Sequence, residues 1–245
     1  DMIMGIQGNM FLIHKFMKSA LEGLNHLHKQ NVVHRDLAKD NILWDPLKEQ
    51  SVIIDFDTSA PMRPKYYRDV GRDKYDAPEK TEVIEMRKKM WDEERRKPVG
   101  KQKNKFYTSK ADIYSLGVVF WMLLKNKKHS PDPPFLKKWV RKVIQRNKHK
   151  KYAELDLLVK MLMFDPKSRI SVESALKHSF IVDTPPMDMK YKEMRKYLLK
   201  MHEMEIPKEL QDDEEETEEK DDNGHSEEES ESESESSGES DEKSD

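Results

Sequence analysis

The sequence predicts a mainly α fold with a small β-hairpin region, followed by a disordered acidic tail. Three observations predict it. Apolar residues recur at helical spacing through much of the first 208 positions, whereas β-rich runs flank a turn signal only near residues 42–54. Charge is sharply divided. Residues 209–245 hold 20 acidic and 2 basic side chains, a net of −18, which leaves +15 for residues 1–208. A tail of that composition, ending in Ser/Glu alternation from Ser226 to Glu235, has too little apolar surface to offset its ordering entropy. The roughly 200 remaining residues are ample for one core.

Taken in order, residues 11–29 place Phe11, Leu12, Phe16, Ala20, Leu21, Leu24 and Leu27 on one helical face. Val32-Val33 lead into a polar loop at His34. Ile42-Leu43-Trp44 and Val52-Ile53-Ile54 flank the turn signal Asp45-Pro46 and read as a hairpin. Residues 80–105 are nearly all charged, with Lys97-Pro98-Val99-Gly100 breaking a solvated helix. Ile113–Leu124 is apolar all round, which places that helix at the centre of a domain. Amphipathic helices fit Leu136–Arg146, Leu155–Met163 and Val172–Lys177, and a mostly charged helix fits Tyr191–Glu205.

Composition excludes several classes. There is no cysteine, so neither a disulfide framework nor a Cys-based zinc site is available. No run approaches the ~18 apolar residues of a membrane span, and no secretory signal pattern opens the chain. A non-membrane, intracellular protein of cytoplasm or nucleus is therefore expected.

The densest chemistry lies in His34-Arg35-Asp36-Leu37-Ala38-Lys39-Asp40-Asn41, followed by Asp55-Phe56-Asp57. Asp36 can accept or orient a hydroxyl proton. Asn41 offers an amide oxygen, and Asp55 the hard carboxylate oxygen that Mg²⁺ prefers. A hairpin between residues 41 and 55 would bring the two loops side by side.

HRDLxxxN followed by a DFG-like triplet resembles the catalytic and metal-binding loops of the eukaryotic protein kinase superfamily. Further matches follow in order. Tyr75-Asp76-Ala77-Pro78-Glu79 resembles the end of a kinase activation segment, and Asp112-Ile113-Tyr114-Ser115-Leu116-Gly117 the opening of a buried central helix. Phe164-Asp165-Pro166-Lys167-Ser168-Arg169 resembles the DPxxR near the end of the large lobe, and His178-Ser179-Phe180 its closing H-x-F. The resemblance implies an ATP- and Mg²⁺-dependent kinase whose substrates are the hydroxyls of protein serine and threonine.

On that resemblance Asp36, Asn41 and Asp55 are the catalytic residues. Asn41 and Asp55 hold Mg²⁺, and Leu43 joins them at the nucleotide as part of the floor under the adenine ring. Asp112 would hydrogen-bond the backbone of the catalytic loop. Arg169 would pair with Glu79, and His34 would pack on Phe56. The family's Gly-rich phosphate loop, β3 lysine and αC glutamate find no counterpart here, so the resemblance implies a C-terminal lobe alone, a fragment of a longer kinase. The expected domains are the lobe at 1–182 with a charged insert at about 84–105, a helical extension at 183–208, and the acidic tail at 209–245.

Departures from the pattern sharpen the expectations. Asp57 stands where the family has glycine, which would restrict the loop and add negative charge near the phosphates. Ala38 and Arg72 stand where serine/threonine kinases carry a Lys–Thr pair, so Arg72 or Lys39 is expected to restore the missing cation. Arg35 is the kind of cation that receives a phosphorylated activation segment, and Tyr66, Tyr67, Thr58 and Ser59 lie there; ordinary loop roles are the simpler reading. A non-catalytic, pseudokinase-like scaffold is the alternative function, with Asp57 and Ala38 in its favour and intact Asp36, Asn41 and Asp55 against it.

Partners follow from charge and motif. A protein substrate and ATP come from the resemblance. The arm at 84–105 and the basic run Lys137, Lys138, Arg141, Lys142, Arg146, Lys148, Lys150 and Lys151 could grip acidic partners, though a solvated outer face is the simpler reading and nucleic acid is not expected. Ser226, Ser230, Ser232 and Ser236 each have an acidic residue three positions on, the context an acidophilic kinase would modify. His14, His26 and His28 read as surface or packing residues.

Overall fold

The computed structural model describes residues 5–62, 72–80, 108–187, 189 and 191–196. All lie within one compact unit spanning Asp1–Leu198, and Leu199–Asp245 falls outside them. Also outside are Tyr66, Tyr67, the 84–105 insert, the acidic tail with its serines, the Lys148 side chain and most of the helix expected over Tyr191–Glu205.

Helix α1, Met10–Lys29, starts where the Asn9 side chain accepts a hydrogen bond from Leu12 N at 3.1 Å. Its apolar stripe from Phe11 to Leu24 is buried, which offsets the entropy of ordering the helix. It ends at Lys29 with Gln30 as its cap, and Asn31, at φ 58°, turns the chain into β1, Val32–Val33. Strand β2, Ile42–Asp45, then pairs antiparallel with β3, Gln50–Ile53, with Ile42 opposite Ile53 and Leu43 opposite Val52. The Asp45 carboxylate caps the connecting turn by accepting from Leu47 N and Lys48 N. The hairpin is as expected, except that its second strand begins at Gln50 and leaves Ile54 outside. Strand β4, Ala60–Pro61, pairs with β1 to make a second two-stranded ladder that two-residue strands could not announce through periodicity.

Helix α2, Ser109–Lys125, is the centre of the unit, with every residue from Ala111 to Leu123 buried. Thr108 caps its start, and Asn126 ends it in the left-handed conformation, φ 52°, with Lys127 N closing back onto Met122 O at 2.9 Å. Helices α3, Pro133–Gln145, and α4, Ala153–Met161, follow; α5, Val172–Leu176, and α6, Ser179–Val182, close the lobe against α1. On α3 the residues Leu136, Val140 and Val143 are buried while Lys137, Lys138, Arg141 and Lys142 are exposed, so this basic run is the polar face of an amphipathic helix.

The extension beyond α6 is anchored to the hairpin turn. Residues 191–196 are helical, with the Tyr191 ring 6.0 Å from that of Phe11 and its hydroxyl 3.3 Å from Glu49 Oε1. Glu49, buried and at φ 51°, also pairs with Arg195 at 2.8 Å and Lys15 at 3.5 Å. Among the described residues, no helix is long and apolar enough to cross a membrane.

Candidate functional site

The loop carrying Asp36 is held from beneath by the first turns of α2. Asp112, 1% exposed, accepts from Arg35 N through Oδ1 and from His34 N through Oδ2, both at 2.9 Å. His28 Nε2 lies 2.9 Å from the same Oδ2, so this histidine at the end of α1 belongs to the support of the loop. From the sequence alone His28 is expected to be a surface or packing residue. No local pattern joins it to Asp112, 84 positions away.

His34 spans the next gap. Its Nε2 is 3.0 Å from Ile54 O and its ring packs on Phe56 with centroids 5.3 Å apart, the contact expected from the motif. Thr58 and Ser59 hydroxyls both donate to His34 O, and Arg35 Nε donates to Thr58 O at 2.6 Å. These two residues therefore serve the loop's geometry, in line with their simpler reading.

Asp36 projects at the edge of this scaffold, its side chain 13% exposed. Asn41 Nδ2 donates to Asp36 O at 2.8 Å and to Asp36 Oδ2 at 3.1 Å, fixing the carboxylate plane. Asp36 Oδ1 is buried and accepts no hydrogen bond. A buried carboxylate oxygen without a hydrogen-bond partner is an acceptor still to be satisfied. Ile54 N donates to Asn41 O at 3.0 Å, which sets Asp55 next to Asn41.

Asp55 is exposed and sits at φ 64°, and Arg35 at φ 72°. Left-handed backbone costs an L-residue roughly 1–2 kcal/mol, and both instances fall in the two loops that meet here. Asp57, by contrast, has no positive φ, so replacing the family's glycine introduces no strain of that kind here. Leu43 is 38% exposed on the hairpin face it shares with Val52, while its neighbours Ile42 and Trp44 point into the core.

Among the described residues no group of three or more His, Asp or Glu side chains is gathered as a metal site. The exposed Asp55 carboxylate and the Asn41 amide oxygen are nevertheless hard donors of the kind that suits Mg²⁺ bound partly by phosphate and water.

The segment 72–80 closes the other side. Arg72 Nη1 lies 2.5 Å from Asp40 Oδ2, its Nη2 donates to Asn41 Oδ1 at 3.4 Å, and its Nε is 3.9 Å from Asp36 Oδ1. Of the two expected cations, Arg72 is thus seen beside Asp36, whereas Lys39 pairs with Asp40 at 3.8 Å and Ala38 is fully buried. Ser115 Oγ donates to Tyr75 O at 2.8 Å, tying this segment to α2. Burial, with the Asp40 charge beside it, raises the Tyr75 phenol above its ordinary range. Asp76 and Lys80 form a buried pair at 2.5 Å, and burial pushes the Asp76 carboxyl up to about 6 against the pull of Lys80.

Arg169 anchors the segment's end. Its fully buried guanidinium meets Glu79 through two hydrogen bonds of 2.7 and 2.8 Å and sends its other donors to Met163 O, Lys110 O and Phe164 O. All five guanidinium donors are satisfied, as a buried arginine requires.

A protein kinase domain model matches residues 8–181. Calcium-dependent protein kinase 8 of Arabidopsis thaliana is 33% identical over 181 residues, covering 67% of this chain and 29% of that protein. The phosphorylase b kinase gamma catalytic chain, liver/testis isoform, of Rattus norvegicus is 30% identical over 67% of this chain and 39% of its own length. Calcium-dependent protein kinase 4 of Plasmodium falciparum is 26% identical over 75% of this chain and 35% of its own length. The chain thus spans about a third of the length of these relatives.

Proposed function

The chain belongs to the protein kinase family, and from that premise we propose that it is the C-terminal lobe of a longer serine/threonine kinase, transferring the γ-phosphoryl group of ATP to protein hydroxyls. The observation that carries this reading is the pair of hydrogen bonds from Asn41 Nδ2 to Asp36, with Ile54 N bonded to Asn41 O one residue before Asp55 and Asp36 Oδ1 without a hydrogen bond.

In the proposed reaction Asp36 Oδ1 orients the substrate hydroxyl and takes its proton as the oxygen–phosphorus bond forms and ADP leaves. Asn41 keeps the carboxylate from rotating, through its two bonds to Asp36. Mg²⁺ on Asn41 Oδ1 and Asp55 would neutralise charge on the phosphates. Leu43 and Val52 offer an apolar face for the adenine ring. The serine/threonine assignment draws on Tyr75 before Ala77-Pro78-Glu79 and on similar proteins that are named serine/threonine-protein kinases.

The test is thermal unfolding with and without Mg-ATP. A ligand present at 100 times its Kd adds about 2.7 kcal/mol to stability. Protection that disappears in Asp55→Asn, together with phosphoryl transfer that disappears in Asp36→Asn while protection remains, supports the reading. Transfer undiminished in Asp36→Asn would overturn it, and absence of both protection and transfer would favour the scaffold.

A further inference from the structure

The guanidinium of Arg72 touches three residues of the catalytic loop, and the reaction proposed above uses only two of them. We propose that Arg72 and Asp40 form a clamp that positions Asp36, in place of the Lys–Thr pair that Ala38 and Arg72 have replaced; this rests on the kinase reading.

Asp40 supplies the tight end of the clamp, with Oδ2 2.5 Å from Arg72 Nη1. Asn41 Oδ1 accepts from Nη2 at 3.4 Å, a weaker second point that takes one of the oxygen's two lone pairs and leaves the other for a cation. Held at two points, the planar fork brings Nε to 3.9 Å from Asp36 Oδ1, near enough for charge attraction and too far for a hydrogen bond. That separation leaves the Oδ1 lone pairs without a hydrogen bond while a positive charge stays beside the carboxylate. A hydrogen-bonded lysine or arginine would instead occupy the oxygen that has to accept the proton.

Arg72 and Asp40 are both partly exposed, at 41% and 48%, and an isolated surface pair of that kind would be loosely held. Here the arginine opens a segment pinned at two buried points, Ser115 Oγ on Tyr75 O and Arg169 on Glu79. Asp40 sits in the turn Lys39–Asn41, whose last residue is bonded to Asp36. The clamp therefore joins two elements each fixed independently to the core. It makes the placement of Asp36 depend on the placement of segment 72–80.

The experiment compares Arg72→Ala, Arg72→Lys and Asp40→Asn in the protein carrying this chain. In wild type, the Arg72 Nη–H resonances, assigned by their loss in Arg72→Lys, should exchange slowly with solvent and exchange faster in Asp40→Asn. In phosphoryl transfer, Arg72→Ala should lower kcat by about tenfold or more while the KM for ATP moves by less than about twofold, with Arg72→Lys regaining part of the loss. A purely structural role would instead lower the unfolding midpoint and move both constants together. Rapid exchange of all the Arg72 Nη–H protons in wild type, or an undiminished kcat in Arg72→Ala, overturns the proposal. Slow exchange in a wild type that transfers no phosphate overturns the kinase reading and the catalytic use of the clamp, while the contact itself stands.

Discussion

Asp112→Asn tests how much of the site depends on one buried carboxylate. Its two oxygens accept from three donors, Arg35 N, His34 N and His28 Nε2, with 1% of the residue exposed. An asparagine has one oxygen. Turned toward His34 and His28, it presents its NH₂ to Arg35 N–H; turned the other way, it faces His34 N–H with the same clash. At least one buried donor is lost in either orientation, and both His28 Nε2 and His34 N in the second, so the first is the milder, at about 1–3 kcal/mol. The surviving bonds lose their charge assistance, at roughly 1 kcal/mol each. The expected loss is about 3–5 kcal/mol, a large share of the ~5–15 kcal/mol typical of a domain. Urea unfolding reads it as a lower midpoint at unchanged slope. Because Arg35 is held at φ 72° by this contact, the loop bearing Asp36 should also loosen, and turnover should fall at temperatures where the variant is still folded. A loss under about 0.5 kcal/mol would refute the reasoning, since it would mean that the three donors find other partners.

Two further tests address the surroundings. In Gly117→Ala the new Cβ would meet Met161 Cβ at 3.1 Å and Leu162 Cδ2 at 3.0 Å. Met161 Cβ sits too near its own backbone to swing away, so overpacking of about 1–3 kcal/mol should exceed the roughly 1 kcal/mol gained in helix propensity; a stabilised variant in thermal unfolding would contradict that balance. Asp76 has a folded-state pKa of about 6, above its ordinary value of 3.8, chiefly through burial and against Lys80. Between those values the native state binds the extra proton, so its contribution to stability is present below about 4 and is lost as pH rises through about 6, by at most ~3 kcal/mol. Asp76→Asn should remove that part of the pH dependence of the urea midpoint; a wild-type-minus-variant difference that stays flat from about pH 4 to 7 would mean that Lys80 keeps the carboxylate ionised.

The linear pattern was legible wherever neighbours in sequence are also neighbours in function. The apolar stripe of α1, the all-apolar α2 and the Leu43–Val52 hairpin follow from periodicities of 3.6 and 2. The pairs Arg169–Glu79, Asp112 with the loop backbone, and His34 on Phe56 were read from the ordered motifs and are present. The helix expected over Leu155–Met163 starts two residues earlier, at Ala153, because the acidic residues Glu154 and Asp156 fit its first turn.

Sequence by itself determined the family, the order of the elements and the identity of the loop residues, because those are properties of local pattern. Only the tertiary structure decided that His28 shares Asp112, that Glu49 gathers Tyr191, Arg195 and Lys15, and that Arg72 lies between Asp40 and Asp36. Each of these is a charge or polar contact across a long sequence separation. Where no ordered motif pairs the residues, as one pairs Arg169 with Glu79, the sequence does not choose the partner. Such a contact forms because burying a polar group is costly until a partner arrives, and which partner arrives depends on how the helices pack.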